Sequence, residues 1–496
     1  MGNDLSKLDT ERQRQKPSAK TALLQEEHPS SSLLRAKEQQ RGLQKSANAL
    51  KTRLLAYGAI SRQTMIALRL PLLLIFLCSE AAWQVYLAPT DVTRYQCYAL
   101  TFWFGSRATT WLPASQCAFL SGVVPQPAFH LLPLEYPSLT VLLFSLPLLV
   151  PFPYYSLAFA LFMLLIVGIV HRLLSRFHSQ HAAWRFLLYL VLGASTLVQV
   201  RFDLLPAACM LFCLIAADRK RWGIAYSALA LGVLLKLYPL IALPALFIAE
   251  QHASGAFFPN TVTGSTQGQP WFMRQIRWVV MRWRWKHISL FSGIIAGVSG
   301  CFALLNLHEV INGPIRYLIQ RPIQIESLQG SILWLAQYAG ASSQIVFTYG
   351  SLNIISPLAG ALSWGGTGLS ILGSLFIFRL QWRQKLSLGQ AMIALLCLII
   401  ITGKVFSPQY LIWLIPLVAY VGAGRLWMYG WGLLSLATTG IYSFYYSHLP
   451  DPATAAQAIQ SLPGFFEAVS LRNALFCCIT LAYIFNWFQV RQGKPR

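Results

Sequence analysis

Charged side chains are scarce in this sequence of 496 residues. Only 11% of the residues are Asp, Glu, Lys or Arg, whereas about 25% is typical of a soluble domain. Hydrophobic residues make up 55% of the chain, and long apolar runs recur between residues 65 and 489. These features exclude a soluble globular protein and predict an all-α polytopic membrane protein.

The sequence also lacks the usual signatures of a metal site. Its nine cysteines include no CxxC pair, and the histidines expected on the outer side, His130, His308 and His448, show no ligand spacing. Seven cysteines lie within apolar runs, where small core side chains are expected. Cys97 and Cys117 share one polar loop. A disulfide between them requires that this loop face an oxidising compartment, and free thiols are the alternative.

Negative charge is scarcer than positive charge. The sequence has 16 acidic residues against 39 Lys and Arg, which gives a net charge of +23. Such an excess would suit a nucleic-acid partner, but the cations collect in short segments between apolar runs. This distribution follows the positive-inside rule. We therefore expect a multi-pass protein with cytoplasmic N- and C-termini and no nucleic-acid partner.

The composition divides the chain into three parts. Residues 1–64 are polar and poor in aromatics, which is typical of a disordered or loosely helical cytoplasmic tail. Residues 65–490 form the membrane domain, and residues 491–496 form a cytoplasmic C-terminal tail. We expect about twelve membrane helices at the apolar segments 65–87, 153–173, 186–200, 203–217, 222–236, 238–250, 288–306, 356–379, 388–403, 409–423, 427–446 and 470–489.

Long segments between these helices are assigned to the outer side because they contain few cations. They are residues 88–152, 307–355 and 447–469. The first of them carries short juxtamembrane helices, and its apolar part, residues 137–153, is expected to be a re-entrant or interfacial helix.

Few carboxylates remain for chemistry on the outer side. Asp91, Glu135 and Glu326 are the candidates that stand next to apolar segments. Each also has a purely structural explanation. Asp91 is placed to cap a short helix, Glu135 precedes Pro137 at a helix start, and Glu326 falls in an amphipathic surface loop.

Three cations are expected at the same membrane depth on that side: Arg201, Lys236 and Lys404. Structural explanations again exist, because Arg201 stands two residues before Asp203 and lysines beside an interfacial Tyr238 commonly snorkel. Together, however, cations near the headgroup plane suit a lipid phosphate, and a facing carboxylate suits deprotonation of a hydroxyl.

The order of several short motifs resembles a known superfamily. "DVTRYQCYA", "LEYPSLT", "RFD", "KLYPL", "QGSILW" and "KVFSPQYLIWLIPL" follow one another between residues 91 and 417. In this order they resemble the GT-C membrane glycosyltransferases, most closely the polyprenol-phosphate-mannose-dependent mannosyltransferases. The resemblance covers residues 65 to 490. Ser138 departs from the family's "EYPP" pattern.

The resemblance implies an enzyme rather than a binding protein. It implies a polyprenyl-phosphate-linked sugar donor, by default mannose, and an inverting transfer to an acceptor hydroxyl on the extracytoplasmic face of the plasma membrane. The acceptor is a glycolipid, a glycan or a protein. The family's lipid-monophosphate members need no metal and no other cofactor, and their partner is the bilayer itself.

The resemblance places the catalytic aspartate at Asp91. Lys236 and Lys404 are expected to hold the donor phosphate, with help from Arg201. Glu135 and Glu326 are expected to orient sugar hydroxyls, or one of them replaces Asp91 as the base. The candidates for sugar or acceptor contacts are Tyr95, Tyr136, Asp203, Tyr238, Glu326, Gln329, Gln409, Tyr410 and Trp413.

Two other functions remain open from the sequence. A twelve-helix chain with both ends inside also suits a transporter or flippase, although such proteins place broken helices near the midplane in two related halves. A non-catalytic membrane scaffold gives no reason for Asp91, Lys236 and Lys404 to converge.

Overall fold

The computed structural model describes residues 90–120, 124–194, 197–255, 283–422, 424–446, 449 and 452–485. The chain divides into two units, Met1–Phe76 and Leu77–Arg496. In the first unit the structure describes Gln44 and Asn48, both helical. The rest of the expected tail (1–64), the first apolar segment (65–87) and the C-terminal tail (491–496) lie outside the described residues.

Helices dominate the described part of the second unit. Eleven of the described helices correspond to the apolar segments expected from residue 153 onward, and the four others lie before or between those segments. They are α1 (Thr90–Phe104), α2 (Thr140–Ser145), α3 (Tyr155–Phe177), α4 (Gln180–Ala194), α5 (Leu204–Asp218), α6 (Trp222–Leu235), α7 (Leu243–Ala253), α8 (Lys286–Gln320), α9 (Leu328–Gln337), α10 (Ala359–Trp382), α11 (Leu388–Thr402), α12 (Tyr410–Val421), α13 (Arg425–Gly440), α14 (Pro452–Ser461) and α15 (Phe465–Ile484).

Four described helices are long and apolar enough to cross a membrane by length and composition. They are α3 with the turn before it, α8, α10 and α15. Five further apolar segments are shorter. A helix of 15 residues, such as α5, rises only about 22 Å, against about 30 Å of hydrocarbon. The chain is thus a mostly helical protein with several apolar helices, and the count of twelve spans stays a prediction.

The expectation of an all-α chain is wrong in one place. Strands β1 (Ile323–Gln324), β2 (Gln344–Thr348) and β3 (Ser351–Ile355) form an antiparallel sheet in the order β1-β3-β2. Tyr349 and Gly350 join β2 to β3 with φ angles of 53° and 68°. Two consecutive positive φ angles are typical of a type I′ hairpin turn. The sequence signal was therefore a Tyr-Gly turn between β-branched runs.

Helix α8 extends beyond the apolar segment expected at 288–306, because it continues through residue 306 to Gln320. Asn306 leaves helical geometry (φ −154°, ψ 91°) and kinks the helix. Its Oδ1 accepts a hydrogen bond from the Glu309 amide at 3.2 Å, and its Nδ2 donates to the His130 carbonyl at 2.9 Å. Asn306 thus starts the second half of α8 as a cap would.

The first outer segment is built from short helices, as expected. After α1 come 3-10 turns at Ser106–Trp111 and Ala118–Leu120, and α2 runs into similar turns at Leu146–Leu149 and Phe152–Tyr154. A disulfide joins Cys97 to Cys117, with 5.8 Å between the Cα atoms. Of the two alternatives for these cysteines, the structure has the bonded one.

Candidate active site

The side chains of the site come from the ends of helices. Asp91 stands in the first turn of α1 and forms an ion pair with Arg201, which lies in the link between α4 and α5. Each of the two side chains is 20% exposed. The carboxylate is therefore oriented by a cation and still open to a substrate hydroxyl. The same ion pair neutralises the positive charge of Arg201.

A second ion pair lies deeper. Lys236, at the C-terminal end of α6, donates through Nζ to Asp203 Oδ1 at 2.6 Å. The indole Nε1 of Trp413 donates to the same oxygen, also at 2.6 Å. The Asp203 side chain is only 2% exposed and that of Lys236 18%. A buried cation needs such a partner, so Asp203 neutralises Lys236 in this structure.

Trp413 is the centre of an aromatic stack. The rings of Tyr238 and Tyr410 both lie nearly parallel to it, with 4.0 Å between ring centroids in each case and interplanar angles of 5° and 25°. Two rings that stack at this distance must cover opposite faces of the indole. Neither face of Trp413 is therefore left for a sugar ring.

Aromatic rings connect the two ion pairs. Phe202 contacts Tyr136 and Tyr95 edge to face, at 5.1 and 5.7 Å between centroids, and the Lys236 ammonium lies 5.2 Å from the Phe202 ring. Tyr95 is 1% exposed, so it packs in the wall. Burial raises the pKa of the Tyr136 hydroxyl, which keeps it a neutral hydrogen-bond donor.

The break between α11 and α12 holds Lys404. Its Nζ donates to the Ile319 carbonyl at 3.0 Å, and its own carbonyl accepts from the Gln324 amide at 2.9 Å. Arg321 lies beside it and donates to the Ser351 hydroxyl at 3.1 Å. Partial burial, and next the charge of Arg321, lower the pKa of Lys404.

Lys404 and Arg321 differ from the other cations of the site. Within the described residues, neither has a carboxylate within the 4.0 Å of an ion pair. Sequence reasoning missed Arg321 because it is one of many arginines near a helix end. Tyr410 connects the two regions, since its hydroxyl lies in electrostatic range of Arg321, Asp203 and Arg201.

The other predicted carboxylates are compensated as well. Glu135 forms an ion pair with Arg94, and its side chain is 10% exposed. Arg94 is one helical turn beyond Asp91 on α1, and a Cβ on Gly350 would come within 2.7 Å of its Nη1. The tip of the β2–β3 hairpin therefore rests against Arg94.

Glu326 belongs to a buried network near α15. Tyr446 donates to its carboxylate, and Arg472 Nη1 lies 3.9 Å from Oε2. Arg472 and Asn473 also donate to its backbone carbonyl. Glu326 is 3% exposed, and among the described residues it forms no ion pair with Arg201, although Tyr442 lies in electrostatic range of Glu326, Asp91 and Arg201. Burial raises the pKa of Glu326, against the charge of Arg472.

Two predicted glutamines are also buried. Gln329 donates to the Thr402 carbonyl at 2.8 Å and ties α9 to the end of α11. A Cβ on Gly366 would come within 2.2 Å of this amide nitrogen and 2.6 Å of the carbonyl oxygen. Gln409, just before α12, is 8% exposed. The sugar contacts expected of both residues stay predictions.

The structure thus groups the candidate residues into one central cluster, which contains the two ion pairs, and two neighbouring clusters. Arg201 and Asp203 flank Phe202 in the chain, and the Lys236 ammonium lies 5.2 Å from the Phe202 ring, so the two ion pairs are neighbours. Lys404 lies with Arg321 beyond Tyr410, and Glu326 lies in its own network. Among the described residues, no three His, Cys, Asp or Glu side chains form a metal-ligand cluster.

Comparison with known proteins identifies part of this chain. Residues 134–298, about a third of the sequence, match glycosyltransferase family 87. The matched segment contains Glu135, Arg201, Asp203 and Lys236, and it confirms the resemblance to GT-C glycosyltransferases. No curated protein matches the chain. The apo crystal structure of ArnT from Cupriavidus metallidurans is similar to this chain. The alignment spans 83% of this chain and 76% of the ArnT chain, with 14% sequence identity. Its TM-score of 0.36 is too low to support an argument.

Proposed function

We propose, on the premise of the match to glycosyltransferase family 87, that the chain is a membrane glycosyltransferase. It transfers a sugar, mannose being the first candidate, from a polyprenyl phosphate to an acceptor hydroxyl, with Asp91 as general base. The observation that carries this proposal is the Asp91–Arg201 pair, with each side chain 20% exposed, beside a buried pair and close to two uncompensated cations.

Asp91 is suited to the base because its carboxylate is oriented and reachable. Arg201 fixes the carboxylate, and a base needs hydrogen-bond reach to the proton it removes. The acceptor oxygen then forms a bond to the anomeric carbon as the bond from that carbon to the phosphate oxygen breaks. The proton goes to Asp91 and the electron pair to the phosphate. Because the acceptor attacks in one displacement on the face opposite the leaving phosphate, the anomeric configuration inverts.

Lys404 and Arg321 are the best candidates for the donor phosphate. The phosphate gains negative charge as it leaves, and fixed cations stabilise that charge. An arginine also offers a forked contact that a lysine does not. Lys236 and Arg201 were expected in this role, but each already neutralises a carboxylate. We therefore move the phosphate toward Arg321 and assign Lys236 to positioning.

The sugar ring itself is proposed to pack on tyrosine. Trp413 is covered on both faces, whereas the outer faces of Tyr410 and Tyr238 are not needed for that stack. The buried, neutral hydroxyl of Tyr136 is a donor next to Lys236, whose ammonium lies 5.9 Å from the Tyr136 ring. Together they offer aromatic surface and hydrogen bonds, as carbohydrate sites require.

The test uses the full chain in proteoliposomes. Polyprenyl phosphate carrying radiolabelled mannose is supplied with a panel of glycolipids, soluble glycans and peptides, and products are separated by chromatography. We expect transfer by the wild type and a loss of at least about 100-fold in Asp91→Asn. The matched control is Glu467→Gln, which alters another first-turn carboxylate, on α15. Near-normal transfer by folded Asp91→Asn protein would refute the assignment of the base.

A further inference from the structure

The guanidinium of Arg94 makes three contacts with the outer segments. Its Nη2 donates to the carboxylate of Glu135, and its Cζ lies 4.6 Å from the centroid of the Phe119 ring. Its Nη1 lies 2.7 Å from the point where a Cβ on Gly350 would stand, at the tip of the β2–β3 hairpin. A guanidinium that stacks on an aromatic face and binds a carboxylate is fixed in one orientation. Arg94 therefore meets the hairpin tip as a fixed group.

Arg94 and its aromatic support belong to the helix that carries the proposed base. Phe119 stands two residues after Cys117, and the disulfide from Cys117 to Cys97 joins this turn to α1. Arg94 lies three residues after Asp91 on α1. Side chains at this spacing are neighbours on one face of a helix. We therefore expect displacement of the Arg94 guanidinium to shift the helical turn that carries Asp91.

The hairpin tip also contacts the end of α8. Arg321 donates through Nη2 to the hydroxyl of Ser351 at 3.1 Å, and the Tyr317 hydroxyl donates to the Tyr349 carbonyl at 3.4 Å. The ring centroids of Tyr317 and Tyr349 lie 5.5 Å apart, and Arg321 Cζ lies 5.5 Å from the Tyr317 ring. Three consecutive residues of the tip thus contact Arg94 as well as Arg321.

The rest of the hairpin is held firmly. Strands β2 and β3 pair at five positions. The buried side chain of Asn353 donates to the Thr348 carbonyl at 2.7 Å and to its hydroxyl at 3.0 Å, and satisfied buried groups of this kind rigidify a fold. Ile345, Leu352 and Ile354 lie in a hydrophobic cluster that includes residues of α14 and α15. Because packed cores resist deformation, a group inserted at the tip displaces the Arg94 guanidinium rather than the hairpin.

We propose that Arg94 is a positioning residue, which acts through the hairpin tip to set the distance between the base Asp91 and the phosphate-binding Arg321. The inference rests on the proposed function and adds to it a residue that binds neither substrate. Glu135 then serves to hold Arg94. Displacement of reacting groups by about 1 Å slows a reaction about 100-fold even when the mutated residue is far from the chemistry. Loss of the contact between Arg94 and the tip therefore lowers kcat and leaves the KM of both substrates.

The test compares two glycines of the same outer segment. Gly350→Ala places a methyl group against the Arg94 guanidinium. Gly340→Ala is the matched control, because Gly340 also has a positive φ angle, 86° against 68°, but a Cβ there meets nothing within 4 Å. Both substitutions thus carry the same kind of backbone strain, and only one of them reaches Arg94.

Both alanine variants are made in the wild type and in Arg94→Met, which lacks the nitrogen that the methyl group would meet. Arg94→Lys, which lacks it too, replaces this background if the Arg94→Met protein does not fold. The full chain in proteoliposomes receives polyprenyl-phosphate mannose and the acceptor of the panel that gives the highest rate with the wild type. The kcat and the KM of each substrate are measured, and thermal unfolding in detergent checks that each variant is folded.

We expect Gly350→Ala and Arg94→Met each to lower kcat at least about tenfold and to keep both KM values within about threefold, whereas Gly340→Ala behaves as the wild type. In the Arg94→Met background Gly350→Ala lowers kcat no further, because both changes act through one contact.

Three results would overturn the inference. Additive losses of kcat would show that Gly350 does not act through Arg94, and equal losses in the two alanine variants would show that backbone strain is the cause. A rise of at least about tenfold in either KM of Arg94→Met would show that Arg94 binds a substrate. Failure of the wild type to transfer to any acceptor of the panel would instead refute the proposed function, and the inference with it.

Discussion

Asp203→Asn, alone and combined with Lys236→Met, separates the two roles considered for Lys236. The substitution removes the charge that neutralises Lys236, while the indole of Trp413 keeps a partner oxygen. Breaking a buried ion pair by removing one charge costs about 3–5 kcal/mol. Because the Lys236 side chain is 18% exposed and the Asp203 side chain 2%, we expect the lower end, about 3 kcal/mol. This loss of stability is measured by thermal unfolding in detergent, with size-exclusion chromatography used to monitor the folded fraction.

The double variant Asp203→Asn/Lys236→Met removes both charges and restores most of the lost stability, since no buried charge is left unpaired. Its donor KM is the decisive measurement. If Lys236 only positions the stack around Trp413, the donor KM changes by less than about threefold, well under 1 kcal/mol. If Lys236 grips the leaving phosphate, the donor KM rises at least about tenfold in Lys236→Met and in the double variant alike. The second result would refute the assignment of the phosphate to Lys404 and Arg321.

Three further predictions concern the neighbours of the site. Partial burial lowers the pKa of Lys404 below the ordinary lysine value of 10.5. Lys404 therefore loses its charge at a lower pH than an exposed lysine would, and the donor KM rises as the pH increases through that range. Lys404→Arg removes this rise, since arginine stays charged; a pH profile of donor KM that is the same in both proteins would exclude the role. Glu326→Gln leaves Arg472 as a buried cation and destabilises the fold by about 3–5 kcal/mol. The double variant Glu326→Gln/Arg472→Met recovers thermal stability. Unchanged stability of Glu326→Gln would show that the pair is unimportant. Gly366→Ala places a Cβ within 2.6 Å of the carbonyl at the end of α11 and lowers transfer several-fold, whereas Gly365→Ala, with nothing within 4 Å, is neutral; equal effects would contradict the packing argument.

Hydrophobic patterning was sufficient for the helices that are apolar throughout. The segment expected at 388–403 became Leu388–Thr402, and the segment at 409–423 became Tyr410–Val421. The break between them follows from Gly403 and Pro408, which stand in the sequence. The small sheet was missed because an outer segment was judged only by its low charge. Its Tyr-Gly turn was a readable signal that the charge argument did not use.

The pairing of charges was beyond the sequence. Asp91 and Arg201 are separated by 110 positions, and nothing local indicates that they meet. The sequence offered Asp203 as a local partner for Arg201 and no partner for Lys236, whereas in the structure Arg201 pairs with Asp91 and Asp203 pairs with Lys236. Arg472 was hidden for a related reason: it stands within an apolar helix, where its partner, the loop residue Glu326, is found only in three dimensions.

The β2–β3 hairpin contacts two parts of the candidate site and therefore bears on the distance between them. Its tip contacts Arg94, one turn beyond the proposed base Asp91, and its first β3 residue, Ser351, accepts a hydrogen bond from Arg321, a proposed phosphate-binding cation. The hairpin thus contacts the surroundings of both proposed roles. We therefore expect that lengthening the Tyr349–Gly350 connection by one residue changes the distance between them without altering any proposed reacting group.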